Sequence, residues 1–322
     1  VKTHSLEDAK LLEDGTTDVR IAGRIIFARK MGKLSFVRIR DLKGDMQLEF
    51  KIDVVGEERY DFFKKLIDTG DFIGAEGEIF TTQTGEKTLR VHSFEFLGKA
   101  LRPLPEKFHG LVDTELKYRQ RYVDLITNEE SRKVFLGRSK FYAFLHKFLA
   151  DNGFLQVETP IIQTAVCGAS AKPFYTHHNA LDMDFYLRIA TELHLKRLII
   201  GGMEKVYEIG RLFRNEGMDA THNPEFTTVE IYQAYGDLSD MMRLVEELFS
   251  TLAMHLLGTT EISYCNQDIS LKAPFKRLHM VDAIKEQTGI DFWQITDIDE
   301  AMRLAREHNI EVPKHEQTVG HI

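Results

Sequence analysis

Apolar and polar residues alternate at the strand period over VRIAGRIIFAR, from Val19, and again over LSFVRIRD, with the turn KMGK between them. After Lys43-Gly44 the alternation resumes in DMQLEFKI. The spacing then changes to that of a helix in EERYDFFKKLIDTG, which stops at a glycine. Two further strands are predicted, FIGAEGEIFTTQ and, past Thr84-Gly85, TLRVHSFEFLGKAL. LRPLPEKFHGLVD, residues 101–113, has two prolines and no period, the pattern of a linker. Residues 129–151 predict a long helix with the apolar stripe Val134, Phe141, Leu145, Phe148 and Leu149, ended by Asn152-Gly153. FLQVETPII predicts a strand stopped by Pro160, and FYLRIA, residues 185–190, another. Thr191 is placed to cap the helix ELHLKRLII, which ends at Gly201-Gly202. KVYEIGRLFR and EFTTVEIYQAYG predict two strands, and SDMMRLVEELFSTLAMHLLG a long amphipathic helix. From Thr259 the pattern gives short strands and one helix near Ile298–His308.

The N-terminal order, three strands, a helix and two strands, is that of an OB-fold barrel, whose face and loops often bind oligonucleotides. Any small β-barrel with a surface helix satisfies the same pattern. The chain is therefore expected to be α+β, with a barrel over residues 1–100, a linker over 101–120 and a larger second domain over 121–322. At 322 residues there is material for both cores.

The formal net charge of −8 argues against general affinity for nucleic acid. Between Asp18 and Lys51 the balance reverses: Arg20, Arg24, Arg29, Lys30, Lys33, Arg38, Arg40, Lys43 and Lys51 face only Asp18, Asp41, Asp45 and Glu49. That is a basic module on an acidic body. Cys167 and Cys265 have neither zinc-site nor disulfide-framework spacing and fit a reducing compartment. The opening VKTHSLEDAK has no apolar core of a signal peptide, and no apolar run is long enough for a bilayer.

The chemistry concentrates in FRNEGMDATHNPEFTTVE, residues 213–230, between two predicted strands. Residues two apart share a strand face, so Phe226, Thr228, Glu230, Tyr232 and Ala234 lie together, as do Leu212 and Arg214. If the strands pair as a hairpin, Arg214, Phe226, Glu230 and Tyr232 project into one cleft. A guanidinium there suits a phosphate, Phe226 a purine, and Glu230 with Tyr232 a cation. The plainer alternative is a salt-bridged surface hairpin with a core aromatic. Alternation of acid, base and aromatic on a face that packing would make apolar favours the cleft. Neither a P-loop nor a G-x-G-x-x-G element is present. His177-His178 are neighbours that point to opposite faces when extended, which suits hydrogen bonding better than joint ligation of a metal.

FRNEG…HNPEFTTVE resembles motif 2 of class II aminoacyl-tRNA synthetases, and the helix 129–151 with GFLQVETPII resembles their motif 1. THHNALDMDFYLRIATELHLKRLIIGG and LRPLPEKFHGLVDTELKYRQRYVDL resemble the lysyl-tRNA synthetases in particular. The resemblance implies an OB-fold anticodon-binding domain, a catalytic domain on an antiparallel sheet flanked by helices, and a homodimer through motif 1. It implies ATP as substrate with Mg2+, lysine and tRNA(Lys) as partners, no membrane, and a cytoplasmic location. Carried over by position, Arg214 would hold the α-phosphate and the lysine carboxylate, and is the expected catalytic residue. Glu216 would meet the adenine amino group, His222 and Asn223 the triphosphate, and Phe226 the adenine ring. Gly168 and Glu192 would receive the α-amino group, Glu230 and Tyr232 the lysine side chain. A first-turn acid such as Glu192 also favours the helix dipole. In the barrel, Phe36 would stack on an anticodon base with Arg29 and Gln47 supplying hydrogen bonds; barrel core is the other place for Phe36. The family's motif 3, with its arginine and metal-holding acids, has no counterpart up to Ile322, so the chain is expected to be C-terminally incomplete and to hold no metal itself. Alternatives are an aspartyl or asparaginyl ligase, a non-catalytic tRNA- or protein-binding module on this scaffold, and a lysyl-transfer paralogue, against which the barrel counts.

Overall fold

The computed structural model describes residues 2–105 and 111–322. Part of the expected linker, residues 106–110, lies outside the described residues. The chain divides into two compact units, residues 1–135 and 136–322.

In the first unit, α1 (Leu6–Lys10) precedes β1 (Val19–Lys30), β2 (Leu34–Arg40) and β3 (Asp45–Lys51). The helices α2 (Ile52–Val55) and α3 (Glu57–Leu66) follow, then β4 (Phe72–Thr81) and β5 (Lys87–Gly98). The five strands close into a barrel in the order β1-β2-β3-β5-β4. Alternation does the sorting: Ser35, Val37 and Ile39 of β2 point inward, and Met46, Leu48 and Phe50 of β3 join them. The helix α3 plugs the barrel with Tyr60 and Phe63; Phe63 stacks on Phe50 with centroids 4.2 Å apart, and the Tyr60 hydroxyl lies 2.7 Å from Ser35 Oγ. A bulge between Ile25 and Phe27 breaks the alternation of β1, so Ala28 packs on the core while Phe27 and Arg29 turn outward. A second irregularity falls at Gly77, where a Cβ would sit 1.8 Å from the Arg90 carbonyl oxygen. Only glycine permits that approach.

Next come α4 (Thr114–Arg119), α5 (Arg121–Thr127) and the long helix α6 (Glu129–Asp151), whose bounds match the expected helix. Asn128 Oδ1 starts α6 by accepting from the N–H groups of Glu130 and Ser131, at 3.1 and 3.4 Å. The expected stripe holds for its second half, where Leu145, Phe148 and Leu149 are buried, with Phe141 packed against them. Val134, 68% exposed, does not belong to it; a helix spacing says which residues share a face, and among the described residues nothing buries that face near Val134.

The second unit contains β6 (Leu155–Gln156), β7 (Ile162–Gln163), β8 (Tyr175–His178), β9 (Met183–Leu187), α7 (Glu192–Ile200), β10 (Lys205–Phe213) and β11 (Glu225–Gln233). It ends with α8 (Leu238–Leu257), β12 (Glu261–Tyr264), β13 (Gln267–Ser270), α9 (Met280–Thr288) and α10 (Ile298–Glu307). The main sheet has the order β11-β10-β6, antiparallel between β10 and β11 and parallel between β10 and β6. FLQVETPII forms two short pieces, β6 and β7, instead of one strand, because Pro160 interrupts it and the second piece pairs with β9. The strand expected at FYLRIA ends at Leu187; Arg188, Ile189 and Ala190 are buried beyond it. The helix α9 was not anticipated by the pattern. The Asp237 carboxylate accepts from the Asp240 N–H at the start of α8, and Gly258, in the left-handed region, ends it.

The barrel unit stores carboxylate-dependent stability. Asp71 is fully buried, which opposes its charge, yet the Lys99 ammonium and the N–H groups of Asp68 and Ala100 hold its carboxyl below the usual range. Asp41 and Asp45 are lowered in the same way, against burial, the first by Lys2 and backbone N–H groups and the second by Arg38 and Arg40. A lowered carboxyl contributes stability that is complete above its unfolded value, roughly pH 4, and is lost as pH falls through the folded value. Thermal unfolding of the barrel unit is expected to be flat above about pH 5 and to shift to lower temperature below about pH 4. Asp71→Asn should lower the plateau and flatten that acid slope; an unchanged slope would assign it to other groups.

Candidate functional site

The pairing of β10 with β11 sets Val206 opposite Tyr232, Glu208 opposite Glu230, Gly210 opposite Thr228 and Leu212 opposite Phe226. Opposed residues share a face, so the hairpin has two. Tyr207, Ile209 and Ile231 occupy one face and pack on Leu145, Phe148 and Leu149 of α6 and on Leu244 and Leu248 of α8. The other face carries Phe226, Thr228, Glu230 and Tyr232, all half-buried. A polar face backed by an apolar one is the arrangement the alternation predicted.

Arg214 lies just beyond β10, its N–H bonded to the Pro224 carbonyl at 2.8 Å. That bond brings its guanidinium over the Phe226 ring, 5.2 Å from the centroid. Its Nε is buried and has no hydrogen-bond partner among the described residues. A buried guanidinium N–H without an acceptor is costly unless something else supplies one. The loop 215–223 is docked by two bonds to Lys172: its N–H donates to Glu216 Oε1 at 3.2 Å, and its carbonyl accepts from the Asn215 N–H at 2.8 Å. His222 is exposed and turned to Asp219, with Nδ1 2.8 Å from Oδ2. The N–H of Thr221, with the His222 ring, the Thr221 hydroxyl and the His222 N–H, holds the Asp219 carboxyl well below the usual range. Asn223 is exposed.

At the opposite end of the face, Glu230 Oε1 accepts from the Thr191 N–H at 3.2 Å, at the start of α7. Thr191 was expected to cap that helix through its hydroxyl; instead it has φ −100° and ψ −7°, makes no such bond, and its buried Oγ1 is unpartnered among the described residues. Its N–H serves the site instead. The Tyr232 hydroxyl lies 3.5 Å from Glu230 Oε2, and burial first, then the charges of Glu230 and Glu192, push the phenol up to about 12. Gly168, with φ +86°, closes on the same place: a Cβ there would lie 2.8 Å from Ala190 Cβ and 3.2 Å from Glu192 Cβ. Glu192 is bonded to Lys196 one turn on. Gly168, Glu192, Glu230 and Tyr232 therefore form one acidic group; Phe226 stands on the same sheet face, with Arg214 just beyond the end of β10.

Sequence reasoning missed the β10 half of this same face. Arg188 and Glu208 are both buried and paired, Nη1 to Oε1 at 2.5 Å. Thr159 Oγ1 donates to Glu208 Oε2 at 2.6 Å, and Arg188 reaches the carbonyls of Thr159 and Arg211 at 3.0 and 2.8 Å. The Phe213 N–H returns to the Arg188 carbonyl at 3.0 Å, one residue before Arg214. Gly210 makes the room, since a Cβ would lie 2.2 Å from Arg188 Nη2. The signal was there: one charge inside each of two apolar strands, FYLRIA and VYEIG.

In the barrel, β1 and β2 set Arg29 opposite Phe36, and β3 sets Glu49 opposite Phe36 and Gln47 opposite Arg38. Phe36 is half-buried on the outer surface, away from the core cluster. Glu49 beside it is held by Arg90 Nε at 3.0 Å, and that guanidinium lies 4.3 Å from the Phe80 centroid. Gln47 Nε2 donates to Thr88 Oγ1 at 3.0 Å, while Arg29 makes no ion pair among the described residues. Most other bases of this stretch are paired, including Arg38 and Arg40 with Asp45. His177 is bonded to Asp184 and His178 accepts from the Leu181 N–H. Among the described residues no group of three or more His, Cys, Asp or Glu could hold a metal ion, and no helix is long and apolar enough to cross a membrane.

Removing one partner of a buried pair leaves the other charge uncompensated. Glu208→Ala is expected to destabilise the second unit by about 3–5 kcal/mol in denaturant unfolding, and Glu208→Gln by less, since an amide still accepts from Arg188. Equal losses would show that the charge, and not the hydrogen bonds, matters.

Residues 113–314 match the model of the class II tRNA synthetases (D, K and N), and residues 19–97 match that of the OB-fold nucleic acid binding domain. The lysine–tRNA ligase of Enterococcus faecalis is 54% identical over 311 residues, which cover 97% of this chain and 62% of that protein. That of Lactococcus lactis subsp. cremoris is 55% identical over 302 residues, covering 94% and 61%. The chain thus spans about 62% of the length of these relatives. With a match over most of its length and a closed five-stranded barrel before it, the chain belongs to the class II tRNA synthetases of the D, K and N group.

Proposed function

We propose that the chain serves the ATP-dependent activation of lysine to lysyl-adenylate and its transfer to the 3′ end of tRNA(Lys). The observation that carries this reading is the site face itself: a guanidinium with an unsatisfied buried N–H against an aromatic ring at one end, and paired acids with a protonated phenol at the other. Adenine stacks on Phe226 and meets Glu216, and His222 and Asn223 lie along the triphosphate. Arg214 holds the α-phosphate and the lysine carboxylate. The carboxylate oxygen attacks the α-phosphorus in line, forming one P–O bond as the bond to pyrophosphate breaks. The carboxylate is already a nucleophile, so positioning and the Arg214 charge do the work. Gly168 leaves space for the α-amino group beside Glu192, and Glu230 with Tyr232 receives the side-chain ammonium. An aspartate side chain there would meet two like charges, which favours lysine over the aspartyl alternative. Magnesium accompanies ATP on this reading, and the described residues offer no cluster of three or more His, Cys, Asp or Glu to hold it.

The outer barrel face around Arg29, Phe36 and Gln47 is assigned to the anticodon, by stacking and hydrogen bonding. A second copy of the chain is the proposed cover for Leu136, Leu155, Ile161 and Ile162, which are 38–56% exposed on the motif 1 segments of the second unit. Cytoplasmic residence follows from the same reading.

Arg214→Ala in the intact protein is expected to cut lysine-dependent ATP–pyrophosphate exchange by about 10³-fold or more while the unfolding midpoint stays unchanged. Near-normal exchange would remove Arg214 from the reaction. Phe36→Ala should weaken tRNA charging through KM by about tenfold, the loss of one stacked base, and leave exchange intact. Parallel loss of both activities would make Phe36 a structural residue.

A further inference from the structure

Three arginines of the first unit converge on a cavity of about 310 Å³ that the reading above does not use. Arg24 comes from β1, Arg40 from the end of β2 and Arg132 from the first turns of α6; Leu42, Phe72 and Ile126 supply apolar wall. The guanidinium groups of Arg24 and Arg132 are held in place, but not neutralised. Arg24 donates to the Gly70 carbonyl at 2.8 Å and lies 4.0 Å from the Phe72 centroid. Arg132 donates to the carbonyls of Asp41 and Leu42, at 3.3 and 3.2 Å. Among the described residues neither is in an ion pair. Arg40 has Asp45 at 3.3 Å, but that carboxylate also serves Arg38 at 3.0 Å and Lys10 at 3.5 Å. Asp41 lines the cavity too, yet its carboxylate is spent on Lys2 at 2.5 Å and on the N–H groups of Leu6, Lys43 and Gly44.

We infer that this cavity binds the phosphate of a nucleotide, with the base or sugar against Phe72, Leu42 and Ile126. Guanidinium forks pair with phosphate oxygens two at a time, and carbonyl-only partners leave their remaining N–H groups free to do so. The electrostatics of the two guanidinium groups point the same way. Burial pulls Arg24 below its ordinary value; burial, and then repulsion from Arg40, do so at Arg132 despite Glu129, Asp41 and Asp45. An entering phosphate relieves both costs. The volume suits one nucleotide and no more. The phosphate has two possible sources, a free mononucleotide or the backbone of an RNA; the second rests on the tRNA reading above.

Hydrogen–deuterium exchange of the intact protein separates them, with AMP at millimolar concentration as one probe and a tRNA transcript as the other. Slower exchange in residues 40–44 and 121–132 is expected with at least one probe. With AMP, it identifies a free-nucleotide site, distinct from any protection over residues 214–230. With tRNA alone, it identifies RNA backbone. In the variant R24Q/R132Q the protection should vanish; in the RNA case tRNA affinity should also fall about tenfold and the slope of log K against log salt by about 2. The wild-type arms stand by themselves should that variant fail to fold. If tRNA protects the barrel face around residues 29–47 while neither probe slows exchange in residues 40–44 and 121–132, the cavity proposal is overturned and the anticodon reading survives. If tRNA protects nothing, the anticodon reading fails, and the AMP arm alone decides the cavity.

Discussion

The register between β10 and β11 divides one hairpin into a surface that must be dry and a surface that must be charged. Tyr207, Ile209 and Ile231 go to the helices; Phe226, Thr228, Glu230 and Tyr232 go to the site. A slip of one residue would exchange the two sets, placing Glu230 against α6 and α8 and Ile231 in the cleft. The apolar face therefore does more than stabilise the unit. It fixes which way every residue of the candidate site points. The Arg188–Glu208 pair fixes the remaining freedom, because it ties β10 to Thr159 and to the segment after β9 at the level where Arg214 leaves the sheet. Burying two charges is costly unless their geometry is specified, and here four hydrogen bonds and the bare backbone of Gly210 specify it.

The barrel solves a related problem by another device. A strictly alternating β1 would carry Ala28 outward and turn Phe27 and Arg29 inward. The bulge after Ile25 resets the strand, so one half feeds the core through Val19, Ile21 and Ile25 and the other through Ala28, leaving Arg29 beside Phe36 outside. A half-buried aromatic and an exposed cation thus become cross-strand neighbours on a face that is otherwise laced with ion pairs.

Strand and helix positions were legible in the sequence wherever one face is apolar: the five barrel strands, the helices α6 and α8, and the hairpin. The cleft residues were legible for the same reason, since Glu230 and Tyr232 interrupt a pattern that packing alone would keep apolar. What the sequence hid depends on tertiary partners. Pro160 announces a break but not that Ile162 will pair with β9. Thr191 has the composition of a cap, yet its backbone goes to a carboxylate 39 residues away and its hydroxyl to none. Arg188 and Glu208 were visible as charges in apolar strands, but their pairing needed the chain folded. Val134 shares a helix face with core residues and is exposed because burial depends on what lies opposite, which periodicity does not encode.

The central claim is that the acids at one end of the site face receive an ammonium while Arg214 holds the phosphate. Calorimetric titration of the intact protein with a non-hydrolysable lysyl-adenylate analogue, and with the same analogue carrying norleucine, isolates that charge. The account predicts that removing the ammonium costs a factor on the order of 10⁴ in affinity, because the Glu230 carboxylate would be left against an apolar side chain without a counter-charge. Equal affinity for the two analogues would contradict it.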